Sequence, residues 1–416
     1  MLREQTTRRR LTVGLCGLTL ALLFAASMQH EASVEAAPGM AIAPRRPEPA
    51  ERSKVVITLD HVHRRREGYV ADLAGDAHAE LTLDPRLQAL AEKIITNHHA
   101  PYGAAVLLSV DDGRVLAMAG RSEAEPQKSS AELCLTPWAP AASVFKIVTA
   151  SALVEKGVKP GTEVCYHDGI HSVEASNLTS HPRLDRACNS LAYGIAKSQN
   201  AILARLASDH LDGPTLTRVA HLLGFGERLP FEVPVTPSLV DLPAGGLPFA
   251  RSAAGFWQST LSPLHGAWLA ATIGRGGTTP PLHIVERIVR GRETTVEKAP
   301  EARRVLPERV ARAVAAMMVG TTRFGTARLS FHDGRGRTSL PIDVAGKTGS
   351  LNRKEGPFLA YSWFVGFAPA LHPEVAVAVL LGNGSGRDAR AHKLARELLE
   401  GYFRRESPSK LMIAAR

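Results

Sequence analysis

Three short elements carry side chains suited to nucleophilic chemistry: Ser143-Val144-Phe145-Lys146, Ser198-Gln199-Asn200 and Lys347-Thr348-Gly349. A serine and a lysine three residues apart on a helix share one face, where the amine can take the hydroxyl proton. Lys146 must then be substantially neutral, which calls for partial burial or a neighbouring cation such as Lys347. Pro140 upstream and the apolar run from Phe145 to Leu153 place Ser143 at a helix start, where backbone amides favour developing negative charge. Ser198 and Asn200 flank Gln199, so in a loop or turn both can point into one cleft, the hydroxyl relaying a proton and the amide holding a peptide group. Lys347 and Thr348 end a candidate strand and offer a cation and a hydroxyl to a carboxylate, beside Gly349, which lets a substrate approach the backbone.

Each element alone has a plainer reading: a helix cap with a solvated lysine, turn residues between helices, an edge-strand lysine. Ser407-Pro408-Ser409-Lys410 repeats the first spacing, and Ser350-Leu351-Asn352 the second. Order, wide separation and context set the three apart.

The elements that must position them follow from periodicity. Lys54 to Leu59 is a candidate strand, and Asp84-Pro85 opens a helix with Leu87, Leu90, Ala91, Ile94 and Ile95 on one face. Gly103 to Val110 and Arg114 to Ala119, joined at Asp111-Asp112-Gly113, read as a hairpin buried on both faces. Three further strands are expected at Asp343 to Ser350, Tyr361 to Ala368 and Glu374 to Leu381, then a helix over Asp388 to Phe403. Strands at both ends with helices between them predict an α+β fold: a mainly antiparallel central sheet built from both ends of the domain, flanked by helices, with a helical lobe inserted.

The chain has 416 residues, 44% of them hydrophobic, with 50 Lys+Arg against 40 Asp+Glu. Disordered and fibrous classes are excluded. The basic excess is spread out rather than interleaved with aromatics, so no nucleic-acid partner is indicated. Arg3 and Arg8 to Arg10 precede an uncharged run, Leu11 to Met28, long enough to span a bilayer with the following domain outside; a cleaved signal peptide is the alternative. This gives four regions: 1–28 as anchor or signal, 29–80 as a proline-containing linker with a short strand region, 81–405 as the functional domain, and 406–416 as a tail. Beyond the apolar run, Cys165 and Cys188 are the candidate disulfide because a loop of that size closes readily, leaving Cys134 unpaired. Cysteine and histidine spacings suit no metal site, and no cofactor is implied. His98-His99 reads as a helix C-terminal cap.

The three-part pattern resembles the penicillin-binding transpeptidases and serine β-lactamases. The resemblance runs from about Leu81 to about Leu381 and includes Leu81 to Gln88, Ala104 to Ala119, Leu261-Ser262-Pro263-Leu264, Thr326-Ala327 and Trp363 to Gly366. It implies that Ser143 attacks the carbonyl between two D-alanines of a peptidoglycan stem peptide, Lys146 takes its proton, and Ser198 relays a proton to the leaving D-alanine. The resemblance also implies that backbone N–H groups of Ser143 and Ser350 form the oxyanion hole, that Asn200 orients the donor, and that Lys347 and Thr348 hold its terminal carboxylate beside Gly349. β-Lactams would acylate the same serine. The implied setting is the outer side of a bacterial cytoplasmic membrane, reached through a single N-terminal span.

Two departures stand out: Ala141-Ala142 replaces the Pro-Gly often found before the nucleophile, and Ser350 replaces the usual threonine. Carboxypeptidase and endopeptidase activities share the acyl-enzyme and remain open. A β-lactamase using a glutamate-bound water is disfavoured by the absence of asparagine from Ala201 to Gly346. A non-catalytic β-lactam sensor or scaffold is the reading from another class.

Overall fold

The computed structural model describes residues 57–404 other than 60, 334, 354, 387 and 388. The apolar run at Leu11 to Met28, the linker to residue 52, the start of the Lys54 to Leu59 strand and the tail with Ser407 and Lys410 lie outside the described residues. Among the described residues no helix is long and apolar enough to cross a membrane.

Strands β1 (Val62–Arg64), β2 (Tyr69–Asp72) and β3 (Ala77–Leu81) precede helix α1 (Pro85–Asn97). The hairpin β4 (Tyr102–Ser109) and β5 (Val115–Ser122) leads to α2 (Ser130–Leu135), β6 (Ala139–Pro140), a 3-10 turn at Ala142–Phe145 and α3 (Lys146–Glu155). The lobe contains β7 (Glu163–Tyr166), β8 (Ala187–Ser190), α4 (Leu191–Lys197), α5 (Asn200–His210), α6 (Gly213–Leu222) and α7 (Gly246–Ala253). Next come β9 (Thr260–Leu261), α8 (Pro263–Gly274), β10 (Val285–Arg290), β11 (Glu293–Val296) and α9 (Glu308–Arg323). The chain closes with α10 (Arg328–Phe331), β12 (Ala345–Asn352), β13 (Ala360–Ala368), β14 (Val375–Asn383) and α11 (Ala391–Phe403).

The main sheet runs β12-β13-β14-β4-β5, every pair antiparallel, so the two ends of the domain meet at the β14–β4 pair as expected. Strand side chains alternate between faces. Phe364, Val377 and Val379 share one hydrophobic cluster with Leu87 and Ile94 of α1 and Leu394 and Leu398 of α11. Trp363, Val365, Ala378 and Leu380 share the other with α8. Both faces are thus covered, which explains why β14 reads as continuously apolar. Trp363 is fully buried and donates from Nε1 to Pro140 O at 2.9 Å, fixing the sheet against the segment before Ser143. Losing that ring would cost about 3–5 kcal/mol.

Asp84 caps α1 as expected, accepting from Arg86 N and Leu87 N with Pro85 first in the helix. His98 is the C-cap of the same helix, and His99 Nδ1 meets Glu123 Oε1 at 2.7 Å. Two expectations need correction. Ile57 to Leu59 are not a strand, although Ile57 and Leu59 are buried in the main core. A second antiparallel sheet, β1-β2-β3-β10-β11, lies in regions read as linker or helical middle. Its β10 and β11 are largely exposed and rich in charge, so no apolar alternation announces them.

In the lobe, Cys165 and Cys188 are directly opposite each other in the β7–β8 pair and are disulfide-bonded. Cys134 is a buried free thiol whose pKa burial pushes up. Arg205 of α5 donates to Asp185 Oδ2 at 2.9 Å, Asn177 O at 2.8 Å, Thr179 O at 2.8 Å and the carbonyl of Cys165. His167 Nδ1 lies 2.6 Å from Asp185 Oδ1. This buried network fastens the segment from Cys165 to Asp185 onto α5.

Candidate active site

Ser143 sits in the 3-10 turn that runs directly into α3, and Lys146 is the first residue of that helix. The i to i+3 spacing does what it predicted: Lys146 Nζ lies 2.7 Å from Ser143 Oγ. Nζ also lies 2.6 Å from Asn200 Oδ1 and 3.4 Å from Ser198 Oγ. Lys146 is fully buried. Its pKa is held well below the usual lysine value, first by burial and then by the nearby Lys347 charge. A neutral amine has two N–H bonds and one lone pair. With Asn200 Oδ1 and Ser198 Oγ as acceptors for the N–H groups, the lone pair faces the Ser143 hydroxyl.

Ser198 and Asn200 lie at the junction of two helices. Ser198 caps the end of α4 in the left-handed region, with φ 58°, and Asn200 opens α5. The turn presents Ser198 Oγ to both lysines, with Lys347 Nζ at 2.9 Å. Asn200 is more committed than expected: Oδ1 accepts from Lys146, and Nδ2 donates to Ile170 O at 2.7 Å. One amide N–H remains for a substrate.

Lys347, Thr348 and Gly349 lie on β12, the edge strand of the main sheet. Lys347 is also fully buried; its Nζ donates to Ser198 Oγ and to Thr348 O at 2.9 Å, and burial lowers its pKa to about 7. It is packed between Ser198 Oγ and its own strand. Gly349 also has a packing role. A Cβ there would lie 3.1 Å from Trp363 Cβ, 3.3 Å from Val144 Cγ2 and 3.4 Å from Ala141 O, so its bareness lets β12 close on the Ser143 segment.

A cleft of about 410 Å³ is lined by Ser143, Ser198, Asn200, Thr326, Thr348 and Ser350, among others. It gathers the three sequence elements into one site. Thr326, quoted only as context by the sequence, places Oγ1 2.6 Å from Thr348 Oγ1, so two hydroxyls stand together on the cleft wall. Gly255 is a support that no spacing announced: a Cβ there would meet Ala142 O at 2.4 Å and Ser143 Cα at 3.0 Å. Thr149 of α3 donates to Ala253 O at 2.8 Å, tying the nucleophile helix to the same segment. Ala142 itself has φ 49°, a region glycine favours. Among the described residues, no cluster of His, Cys, Asp and Glu is arranged to hold a metal.

Residues 103–400 match the penicillin binding protein transpeptidase domain. The chain belongs to this family. Among curated members of the penicillin-binding transpeptidases, it is 24% identical to the peptidoglycan D,D-transpeptidase PbpA of Mycobacterium tuberculosis, covering 79% of this chain and 73% of that protein. It is 26% identical to the peptidoglycan D,D-transpeptidase FtsI of Escherichia coli over 81% of this chain and 56% of that protein. The fold matches that of M. tuberculosis penicillin-binding protein A in its imipenem acyl-enzyme complex, with a TM-score of 0.64 and 23% identity over 78% of this chain and 79% of that one.

Proposed function

We propose that this protein is a peptidoglycan D,D-transpeptidase that works through a Ser143 acyl-enzyme and is inhibited by β-lactams. The observation that carries the proposal is the buried amine of Lys146, 2.7 Å from Ser143 Oγ, with its pKa depressed by burial and by Lys347. A buried, neutral amine facing a hydroxyl is a general base in place.

Ser143 Oγ attacks the carbonyl carbon between the two terminal D-alanines while its proton passes to Lys146 Nζ. The oxyanion is received by the backbone N–H groups of Ser143 and Ser350, both on the cleft wall. As the C–N bond breaks, a proton reaches the leaving D-alanine nitrogen through Ser198, which contacts both lysines. An acceptor amine then attacks the ester carbonyl, giving the cross-link and returning Ser143 to its starting state. A β-lactam follows the first half of this route, and its opened ring stays attached.

The disulfide between Cys165 and Cys188 supports an oxidising compartment. The Leu11 to Met28 run behind Arg8 to Arg10 supports a single-pass anchor with the domain outside the cytoplasmic membrane.

The experiment is intact mass spectrometry after incubation with benzylpenicillin, with a Ser143→Ala control. A lasting adduct of one penicillin on the native chain and none on the variant is expected. Rapid antibiotic turnover without an adduct would point to a β-lactamase, and neither adduct nor turnover would remove the enzymatic reading.

A further inference from the structure

A second cleft, of about 740 Å³, shares no lining residue with the cleft at Ser143. Small-molecule sites commonly have volumes of about 300–1,000 Å³. Its charge is one-sided: Arg218, Arg228, Arg303 and Arg304 line it against a single carboxylate, Glu227. Arg218 is paired with Glu155, and Arg304 donates to Gly276 O at 2.9 Å. Glu227 Oε1 itself lies 3.5 Å from His221 Nδ1. The guanidinium groups of Arg228 and Arg303 have no hydrogen-bond or ion-pair partner among the described residues.

Three separate segments bring these groups together, and each is fixed by its own contacts. Arg218 stands on α6, and Arg228 on the turn that follows it. Arg303 and Arg304 precede α9: Arg303 N donates to Thr279 Oγ1 and Arg303 O accepts from Thr279 N, both at 2.9 Å, and Arg304 bridges Thr278. Gly224, with φ 88°, has no room for a side chain, because a Cβ there would lie 2.8 Å from His265 Nε2 and 3.0 Å from Trp268 Cζ3. The turn can therefore close on the Trp268 ring of α8, which also lines the cleft. Trp268 is buried, and its Nε1 has no hydrogen-bond partner among the described residues. Buried donors without an acceptor are uncommon in native proteins, and this one adds a second polar demand at the same wall.

We propose that this cleft is a binding site for a phosphate ester, held by Arg228 and Arg303 in the positive field that Arg218 and Arg304 complete. Arginine forks match both carboxylate and phosphate, but the two anions differ in shape. A carboxylate has two oxygens in one plane and is filled by one or two forks. A phosphate is tetrahedral, so its oxygens meet donors that arrive from several segments at once. The ester has two sources with the same chemistry, a soluble phosphodiester and the headgroup of an anionic phospholipid. The site does not depend on the acyl-enzyme reading, and neither inference needs the other.

The test is titration calorimetry of the full chain in an uncharged detergent with three probes: glycerophosphoglycerol, dioctanoyl phosphatidylglycerol, which carries the same headgroup, and glycerate, a carboxylate of the same charge. Saturable binding of glycerophosphoglycerol is expected, with a Kd of about 1 mM or below and glycerate at least about tenfold weaker. Arg228→Gln with Arg303→Gln should weaken the phosphodiester by about tenfold or more, because charge-assisted bonds are lost. Both positions are exposed, so the melting temperature should hold. If the double variant melts early, Arg303→Gln alone should give part of the loss. Equal affinity for the two phosphate probes would assign the soluble source; tighter binding of the lipid, lost in the double variant, would assign the headgroup. The inference is overturned if neither phosphate probe binds saturably, if glycerate binds as well as the phosphodiester, or if the double variant keeps the native affinity. None of these results bears on acylation of Ser143.

Discussion

Lys146 Nζ lies between two oxygens, 2.7 Å from Ser143 Oγ and 2.6 Å from Asn200 Oδ1. The amide oxygen orients the amine, and because it is uncharged it does so without drawing a proton onto it. Asn200→Asp would place a carboxylate at the same distance. An opposite charge this close raises a lysine pKa by about 1–3 units, so at neutral pH the base would be protonated and acylation by benzylpenicillin slowed by ~10- to ~1000-fold. Measuring the second-order acylation rate against pH checks it, with recovery expected as pH rises.

Lys347 lowers the Lys146 pKa through its charge. The base works when neutral, so activity falls as pH drops through its pKa, and this acid limb lies well below the ordinary lysine value in the native protein. Removing the neighbouring cation raises that pKa, so Lys347→Met should move the limb to higher pH. Lys146→Met should remove the limb and lower acylation by about 10²–10⁴-fold at all pH values. Stopped-flow acylation profiles of the three proteins provide the comparison.

Ala142 holds φ at 49° directly before the nucleophile. A non-glycine residue in this region costs on the order of 1–3 kcal/mol, partly offset by the entropy that glycine loses on folding. Ala142→Gly is therefore expected to stabilise the domain by about 1 kcal/mol. Urea denaturation would register this as a higher midpoint at constant slope.

The Arg205 guanidinium, then the His167 ring, holds the Asp185 carboxyl well below the usual carboxylate range. A depressed folded-state pKa gives stability that is present above the unfolded value of about 3.9 and is lost as pH falls through the folded one. Arg205→Ala leaves a buried carboxylate short of its main partner and should cost about 3–5 kcal/mol at pH 7. The variant should also lose less stability than the native protein on acidification below about pH 4. Denaturation at pH 7 and pH 3 tests both.

The sheet and the three motifs were legible because each depends on local signals: continuous apolar runs for β4, β13 and β14, and i to i+3 spacing for Ser143 and Lys146. The Cys165–Cys188 pair was legible from loop size. What escaped depends on contacts between distant segments. Gly255 looks like any loop glycine until its Cα lies against Ala142, and the β10–β11 hairpin carries little apolar pattern because most of its side chains meet solvent. The burial of Lys347 was hidden for a related reason. A lysine on an edge strand is ordinarily solvated, and only the packing of α9 and the Ala142–Phe145 turn against β12, with Ser198 over its amine, encloses it.

The pairing of β4 with β14 also fixes when the protein can begin to work. Ser109 and Val375 are register partners, yet they leave the ribosome far apart in time. At ordinary synthesis speeds of about 5–20 residues per second, β4 waits on the order of tens of seconds for its neighbour. The loop between Cys165 and Cys188 closes over only 23 residues and needs no such wait. The lobe can thus be stapled early, but β4 and the strands from β12 to β14 join into one sheet only when nearly the whole chain has been made. A nascent chain therefore cannot hold an assembled Ser143 cleft, and catalysis waits on nearly the whole of synthesis.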